Sequence, residues 1–300
     1  MRPGYDDPPM HLTLPATPTD RSVPGDGITL HARDWGDGSA ARPIVLLHGL
    51  SSNARIWDGV APRLDEAGLR PVAIDQRGHG ESEQPSSGYD FATVTSDLSH
   101  ALRALGIQAP LLVGHSWGAN VALQFAAERS GAVAGVALVD GGFGDVADWA
   151  GADREEVRRR LRPPSFAVPL STWLGGAGRW PGVDSREPWV TDFLRAGVEV
   201  DAAGIARARF RLENHLQVID ALYDQRPSRL LADLTCPVLL CPAGGQGAAA
   251  KRAAIGRARQ LLPDARVTWF GDAMHDIPLQ YPAELAAELT GFATEAGARG

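Results

Sequence analysis

Apolar runs bounded by glycine and polar turns recur along the chain. PIVLLHG (43–49), RPVAIDQRGHGES (70–82), APLLVGHS (109–116), AVAGVALVDGG (132–142), CPVLLCPAG (236–244) and ARVTWFGD (265–272) read as strands. Apolar runs without strict alternation are the pattern of strands covered on both faces. Between them, 53–67, 90–105, 117–129, 248–262 and 282–296 carry apolar residues at helical spacing, and Asp90 is placed to cap the second of these. GITLHARDWGDG (27–38) alternates apolar and polar residues and ends in turn residues, which predicts an edge hairpin strand. Strand–helix alternation on this scale predicts an α/β fold: a mostly parallel sheet with helices on both faces. Reactive residues should then lie beyond the carboxyl ends of the strands.

The pattern breaks between 143 and 230. No buried strand run occurs there, loops such as RPPSF and LGGAGRWPG recur, and 201–225 reads as one long helix. Trp149, Trp173, Trp180 and Trp189 fall in the same segment and need apolar cover, which a cleft supplies. The segment is read as an inserted helical cap, dividing the core into 1–142 and 231–300. Residues 1–20, rich in Pro, Asp and Thr, read as a loose arm.

Composition narrows the classes. With 300 residues and 44% hydrophobic content the chain can bury one substantial core, or a core and a smaller lobe. A net charge of −7 argues against a nucleic-acid or anionic-membrane partner and leaves a small-molecule substrate open. The basic run DREEVRRRLR (153–162) mixes acids among its arginines and reads as a solvated helix face. Cys236 and Cys241 are five apart, which on a strand sends them to opposite faces, so a disulfide-free protein is expected. The N-terminus has acids and prolines where a signal peptide needs an apolar core, and no run approaches transmembrane length, so a cytoplasmic location is expected. Lys251 is the one lysine among 29 basic residues. No metal-ligand spacing and no dinucleotide fingerprint follows a strand, so no metal and no cofactor are expected. Oligomeric state is not encoded in any pattern found.

The chemistry centres on GHSWG, residues 114–118. It fits G-x-S-x-G with an apolar strand before it and a helix after it. A sharp strand-to-helix turn would force Ser116 into a strained conformation and lift its hydroxyl clear of the sheet. Gly114 and Gly118 lie where side chains would block the approach of helix to strand. A serine nucleophile needs a base within reach. Eight histidines compete: His11 and His31 lie near the amino end, and His100 faces out from a helix. His115 should point away from its neighbour Ser116. His79 sits in the loop after the fourth strand, at the edge of the site, and His215 is read as an exposed residue of the cap helix.

Together with VLLHGL (45–50) and AIDQRGHGES (73–82), GHSWG resembles the α/β-hydrolase superfamily over residues 27–296, apart from the cap. The resemblance implies a Ser116 nucleophile and a His275 base, the latter in WFGDAMHDIPL after the last strand. It implies an oxyanion hole from the backbone N–H groups of Leu50 and Trp117, a loop-shaping role for His48 and a structural role for Asp75. His48 and Trp57 are also placed as substrate contacts. The usual acid position is vacant: CPAGGQGAAAKR has no carboxylate. The family's alternative, the end of the preceding strand, offers Asp140, which keeps the order Ser, Asp, His. Asp272 and Asp276 are rivals close to His275 in sequence.

The function expected is a serine hydrolase cleaving an ester, lactone or thioester of a small apolar substrate through an acyl-enzyme. Cofactor-free peroxidase-like activity on the same triad is an alternative. Another is a hydrolase-like ligand-binding protein with little turnover, favoured by the vacant acid position.

Overall fold

Val, Ile and Leu on both faces of a strand are stable only when a layer of helices covers each face, and the chain folds accordingly. The computed structural model describes residues 17–36, 41–148, 153–176, 180–183, 187–245 and 247–297. β1 (Thr19–Pro24), β2 (Thr29–Asp34) and β3 (Arg42–Leu47) precede a 3₁₀ turn at Ala54–Trp57 and α1 (Ala61–Glu66). β4 (Leu69–Asp75), α2 (Phe91–Ala104), β5 (Leu111–His115), α3 (Trp117–Glu128) and β6 (Gly135–Val139) follow. Next come α4 (Arg154–Leu161), β7 (Val168–Pro169), α5 (Leu170–Leu174), α6 (Pro188–Ala196), β8 (Val198–Val200) and β9 (Ile205–Ala208). The chain ends with α7 (Leu212–Asp224), α8 (Pro227–Leu230), β10 (Val238–Cys241), α9 (Ala248–Leu261), β11 (Arg266–Val267), α10 (Ile277–Gln280) and α11 (Pro282–Gly297).

The main sheet has eight strands in the order β1-β2-β4-β3-β5-β6-β10-β11. β2 runs antiparallel to both β1 and β4, and the strands from β4 to β11 are mutually parallel. Side-chain alternation splits the core in two. Val45, Leu47, Leu112, Leu138 and Leu240 join α2, α3, α7 and α9 on one face. Ile44, Leu46, Val113, Val139 and Cys241 join α1 and α11 on the other. Cys236 and Cys241 accordingly lie on opposite faces and are unpaired.

Four expectations change. The amino-terminal arm contributes β1 from Thr19 onward, so β2 is an interior strand and not the edge. The helix expected over 53–67 breaks in two: Asn53 caps the first turn through the Arg55 amide, and Pro62, with no N–H to give, starts α1 afresh. The long helix expected over 201–225 is a hairpin and a helix. The Asp201 carboxylate accepts the amides of Ala203 and Ile205, Gly204 takes a φ of 76°, and only α7 is helical. Segment 143–230 is therefore not wholly helical; it carries a three-stranded sheet in the order β7-β9-β8.

The basic run does form a solvated helix. In α4, Arg159 and Arg160 pair with Glu156, while Arg154 and Arg158 reach Asp224 and Asp220 on α7. No helix among the described residues is long and apolar enough to cross a membrane.

Candidate active site

Ser116 joins β5 to α3 with φ 53° and ψ −120°, a conformation that costs a residue with a side chain roughly 1–3 kcal/mol. Three close backbone approaches hold it there. A β-carbon on Gly114 would run into the Gly118 carbonyl. One on Gly118 would lie 2.5 Å from the carbonyl oxygens of Leu47 and His48, and one on Gly141 would strike the Ser116 backbone. The obstacles are main-chain atoms, so no rotamer change relieves them. Gly118→Ala is therefore expected to destabilise the fold by about 2–4 kcal/mol. Urea denaturation checks this: a midpoint equal to wild type would mean that α3 can move off β3 freely.

Beyond the carboxyl ends of β5 and β6, where the loop between β11 and α10 approaches them, three side chains meet. His275 Nε2 lies 2.9 Å from Ser116 Oγ and accepts its proton, while His275 Nδ1–H donates to Asp140 Oδ2 at 2.6 Å. Asp140 occupies the first residue after β6, also at positive φ (46°), and its own amide donates to the Cys241 carbonyl. Its Oδ1 accepts the Ala243 amide at 2.9 Å, and its Oδ2 also accepts from Lys251 Nζ at 2.7 Å. The Asp140 side chain is fully buried while half of the His275 side chain is exposed, so the constellation opens to solvent at the serine end.

The electrostatics follow. Burial favours neutral forms of both partners. For Asp140, the hydrogen bond and charge of His275, then Lys251 and the Ala243 amide, outweigh burial and hold the carboxyl below its usual range. For His275, the Asp140 hydrogen bond and the charges of Asp276 and Asp140 outweigh burial and an opposing Lys251, raising the imidazole above its ordinary value of 6.5. Ion pairing across this contact is thus favoured, as a base that must carry a transient proton requires.

The turn after β3 is pinned beside the serine. A β-carbon on Gly49 would sit 3.0 Å from Ser116 Cβ, which places the next residue, Leu50, alongside. Ser51, at φ 59°, donates its amide to His79 Nε2. Trp117 opens α3, where the first backbone N–H groups have no partner within the helix. Trp117 thus follows Ser116 directly, and Leu50 follows the glycine that packs against it.

Four further histidines, His48, His79, His115 and His215, are pushed toward the neutral form by burial, and their partners fix their tautomers. His48 Nδ1–H donates to the Gly49 carbonyl and its Nε2 accepts the Gln76 amide. His79 Nδ1–H donates to the Arg77 carbonyl, and its ring stacks on Phe210 at 3.8 Å. His115, pushed by burial and the His275 charge down to about 4, donates Nε2–H to the His275 carbonyl. His215 donates Nε2–H to the Leu161 carbonyl and accepts from Ser51 Oγ. Asp75 accepts the Ala54 and Glu81 amides and His31 Nδ1–H, a wholly structural set.

Three expectations need correction. Trp57 is fully buried in the cluster of α1 and α11, because the 3₁₀ turn directs it into the core, so it is not a substrate contact. His48 is likewise buried with both nitrogens engaged, which leaves the loop-shaping role and removes substrate contact. His215 is buried, not exposed, since α7 folds against the Ser51 turn. Of the tryptophans in segment 143–230, Trp173, Trp180 and Trp189 pack against the α1/α11 cluster, and Trp149 lies outside the described residues. Asp276 accepts the Trp180 indole N–H at 2.6 Å and does not reach the imidazole edge taken by Asp140. Sequence reasoning missed Lys251 and the His115 support of the His275 backbone. A lone lysine in an arginine-rich chain was the available signal for the first; the second had none.

Comparison with known proteins agrees with this fold. A family model described as the alpha/beta hydrolase fold matches residues 42–280. The chain is 27% identical over 266 residues to 2-(acetamidomethylene)succinate hydrolase of Mesorhizobium japonicum, covering 88% of this chain and 89% of that protein. It is 40% identical over 93 residues to non-heme chloroperoxidase CPO-A1 of Kitasatospora aureofaciens, covering 31% of this chain and 33% of that protein. Among solved structures, that of E-2-(acetamidomethylene)succinate hydrolase superposes with a TM-score of 0.76 at 23% identity, covering 92% of this chain and 99% of the other, a likeness of fold.

Proposed function

The chain belongs to the alpha/beta hydrolase family, and on that premise we propose that it is a serine hydrolase of carboxylic ester-type bonds (ester, lactone or thioester) in a small, largely apolar substrate. The observation that carries the reading is the unbroken hydrogen-bonded line from Ser116 Oγ through His275 to Asp140. In it, His275 Nε2 takes the hydroxyl proton as Ser116 Oγ attacks the substrate carbonyl. Asp140 keeps the second ring proton on Nδ1 and stabilises the imidazolium. The amides of Leu50 and Trp117 receive the developing oxyanion, the leaving group takes the proton from His275, and water then releases the acyl group by the same path. Half-buried Leu50 and exposed Met274, beside Ser116 and His275, offer apolar contact to the acyl or alcohol part.

In the same reading, segment 143–230 is the cap. Phe210 stacks on His79, and His215 bonds Ser51, so the segment is fastened to the loops that border the serine. A second reading, cofactor-free peroxidase-like activity on the same three residues, rests on the similarity to the Kitasatospora chloroperoxidase.

A fluorophosphonate probe tests the proposal. Mass spectrometry is expected to place one adduct on the Ser116 peptide. The rate of modification needs His275 unprotonated, and its pKa lies above 6.5, so the rate should fall as pH drops through a midpoint above that value. An unmodified Ser116 in folded protein would remove the nucleophile and leave a ligand-binding protein. Short p-nitrophenyl esters, and a peroxide-dependent oxidation assay run beside them, separate hydrolysis from the second reading.

A further inference from the structure

We propose that Lys251 is a positioning residue of this site: its ammonium locks the Asp140 carboxylate in place and takes up part of the charge that would otherwise act on His275 alone. The proposal rests on the serine-hydrolase reading for its catalytic consequence, but its structural basis is independent of it. Lys251 Nζ and His275 Nδ1 converge on the same oxygen, Asp140 Oδ2, at 2.7 and 2.6 Å, while Oδ1 is taken by the Ala243 amide. The carboxylate is thus held by three donors from three directions and has no freedom to rotate. It is fully buried, and only 21% of the Lys251 side chain is exposed, so the pair is not a screened surface contact.

The position of Lys251 argues for a dedicated partner. It lies in the first turn of α9, where a cation opposes the helix dipole. It is also the chain's one lysine, on the segment after β10 where the sequence has no acid. With the acid moved to the end of β6, this segment contributes the Ala243 amide and an ammonium to that acid instead.

The consequence is set by every charged group facing His275. Asp140 and Asp276 favour its protonated form and Lys251 opposes it, while the neighbouring His115 ring, 5.0 Å away, is held neutral and adds no charge. Removing the ammonium leaves two carboxylates unopposed. His275 should then hold its proton to higher pH and act as a free base over a narrower range.

The test follows the His275 ring by NMR titration, assigned with His275→Gln, in wild type, Lys251→Met and Lys251→Arg. Lys251→Met is expected to raise the midpoint by about one pH unit, and Lys251→Arg, which keeps the charge, to leave it near wild type. The pH at which fluorophosphonate modification is half-maximal should move upward by the same amount in Lys251→Met. Equal midpoints in wild type and Lys251→Met would overturn the assignment. If Lys251→Met does not fold, Lys251→Gln serves in its place with the same expected shift. A shifted His275 in a protein that takes no fluorophosphonate would instead refute the hydrolase reading and leave the Lys251 assignment standing.

Discussion

Alanine at position 116 is expected to lower kcat for a p-nitrophenyl ester by about a millionfold, because it removes the atom that attacks. Residual turnover should exceed the water reaction by roughly 10³–10⁴, the share supplied by oxyanion amides and binding that do not depend on the hydroxyl. Stability should hardly change. Ser116 already bears a β-carbon at φ 53°, so alanine inherits the same backbone strain and adds no clash. The hydroxyl's side-chain partner, His275, is half exposed and can turn to water. Steady-state kinetics with purified Ser116→Ala, at matched folded concentration from thermal melts, decides the matter. A loss smaller than about a hundredfold would show that the hydroxyl is not the nucleophile.

Asp140→Asn is expected to cost about 10⁴ in kcat with KM little changed. An amide cannot satisfy the three donors around it. If its NH₂ takes the Oδ2 position, it meets the Nδ1–H of His275 and the ammonium of Lys251, donor against donor. The ring then exchanges its tautomer, Nε2 gains the proton, and Nε2 can no longer accept from Ser116. If the NH₂ faces the other way, it confronts the buried Ala243 amide instead. Either arrangement leaves a buried donor unpaired, so a stability loss of about 1–3 kcal/mol should accompany the kinetic one. Asp140→Asn also removes a negative charge from beside His275, so any residual activity should persist to lower pH than in wild type. Turnover within tenfold of wild type would exclude Asp140 as the partner of the base.

How far the sequence could be read depended on the range of the interaction involved. β3 to β6 and the serine turn were legible because each depends on its own residues: an apolar run, a helix start and two glycines within five positions. The edge was less so. β1, TDRSVP, is exposed at all but one position and is a strand because β2 pairs with it. The 201–225 segment misled because its helical spacing was real, but an aspartate binding two amides and a glycine at positive φ outweigh propensity.

The sequence by itself determined the parallel sheet, the strained serine between glycines, and which histidine and aspartate were available at strand ends. The tertiary structure decided what those groups face. Packing turned Trp57 inward and buried His48 and His215. It seated His275 on the His115 side chain and laid the single lysine against the Asp140 carboxylate. The reason is one of distance along the chain. Backbone conformation is governed by neighbours a few residues away, whereas the charge and hydrogen bonds felt by Asp140 come from residues 103 to 135 positions distant, brought near only when β6, β10 and the loop before α10 share one end of the sheet.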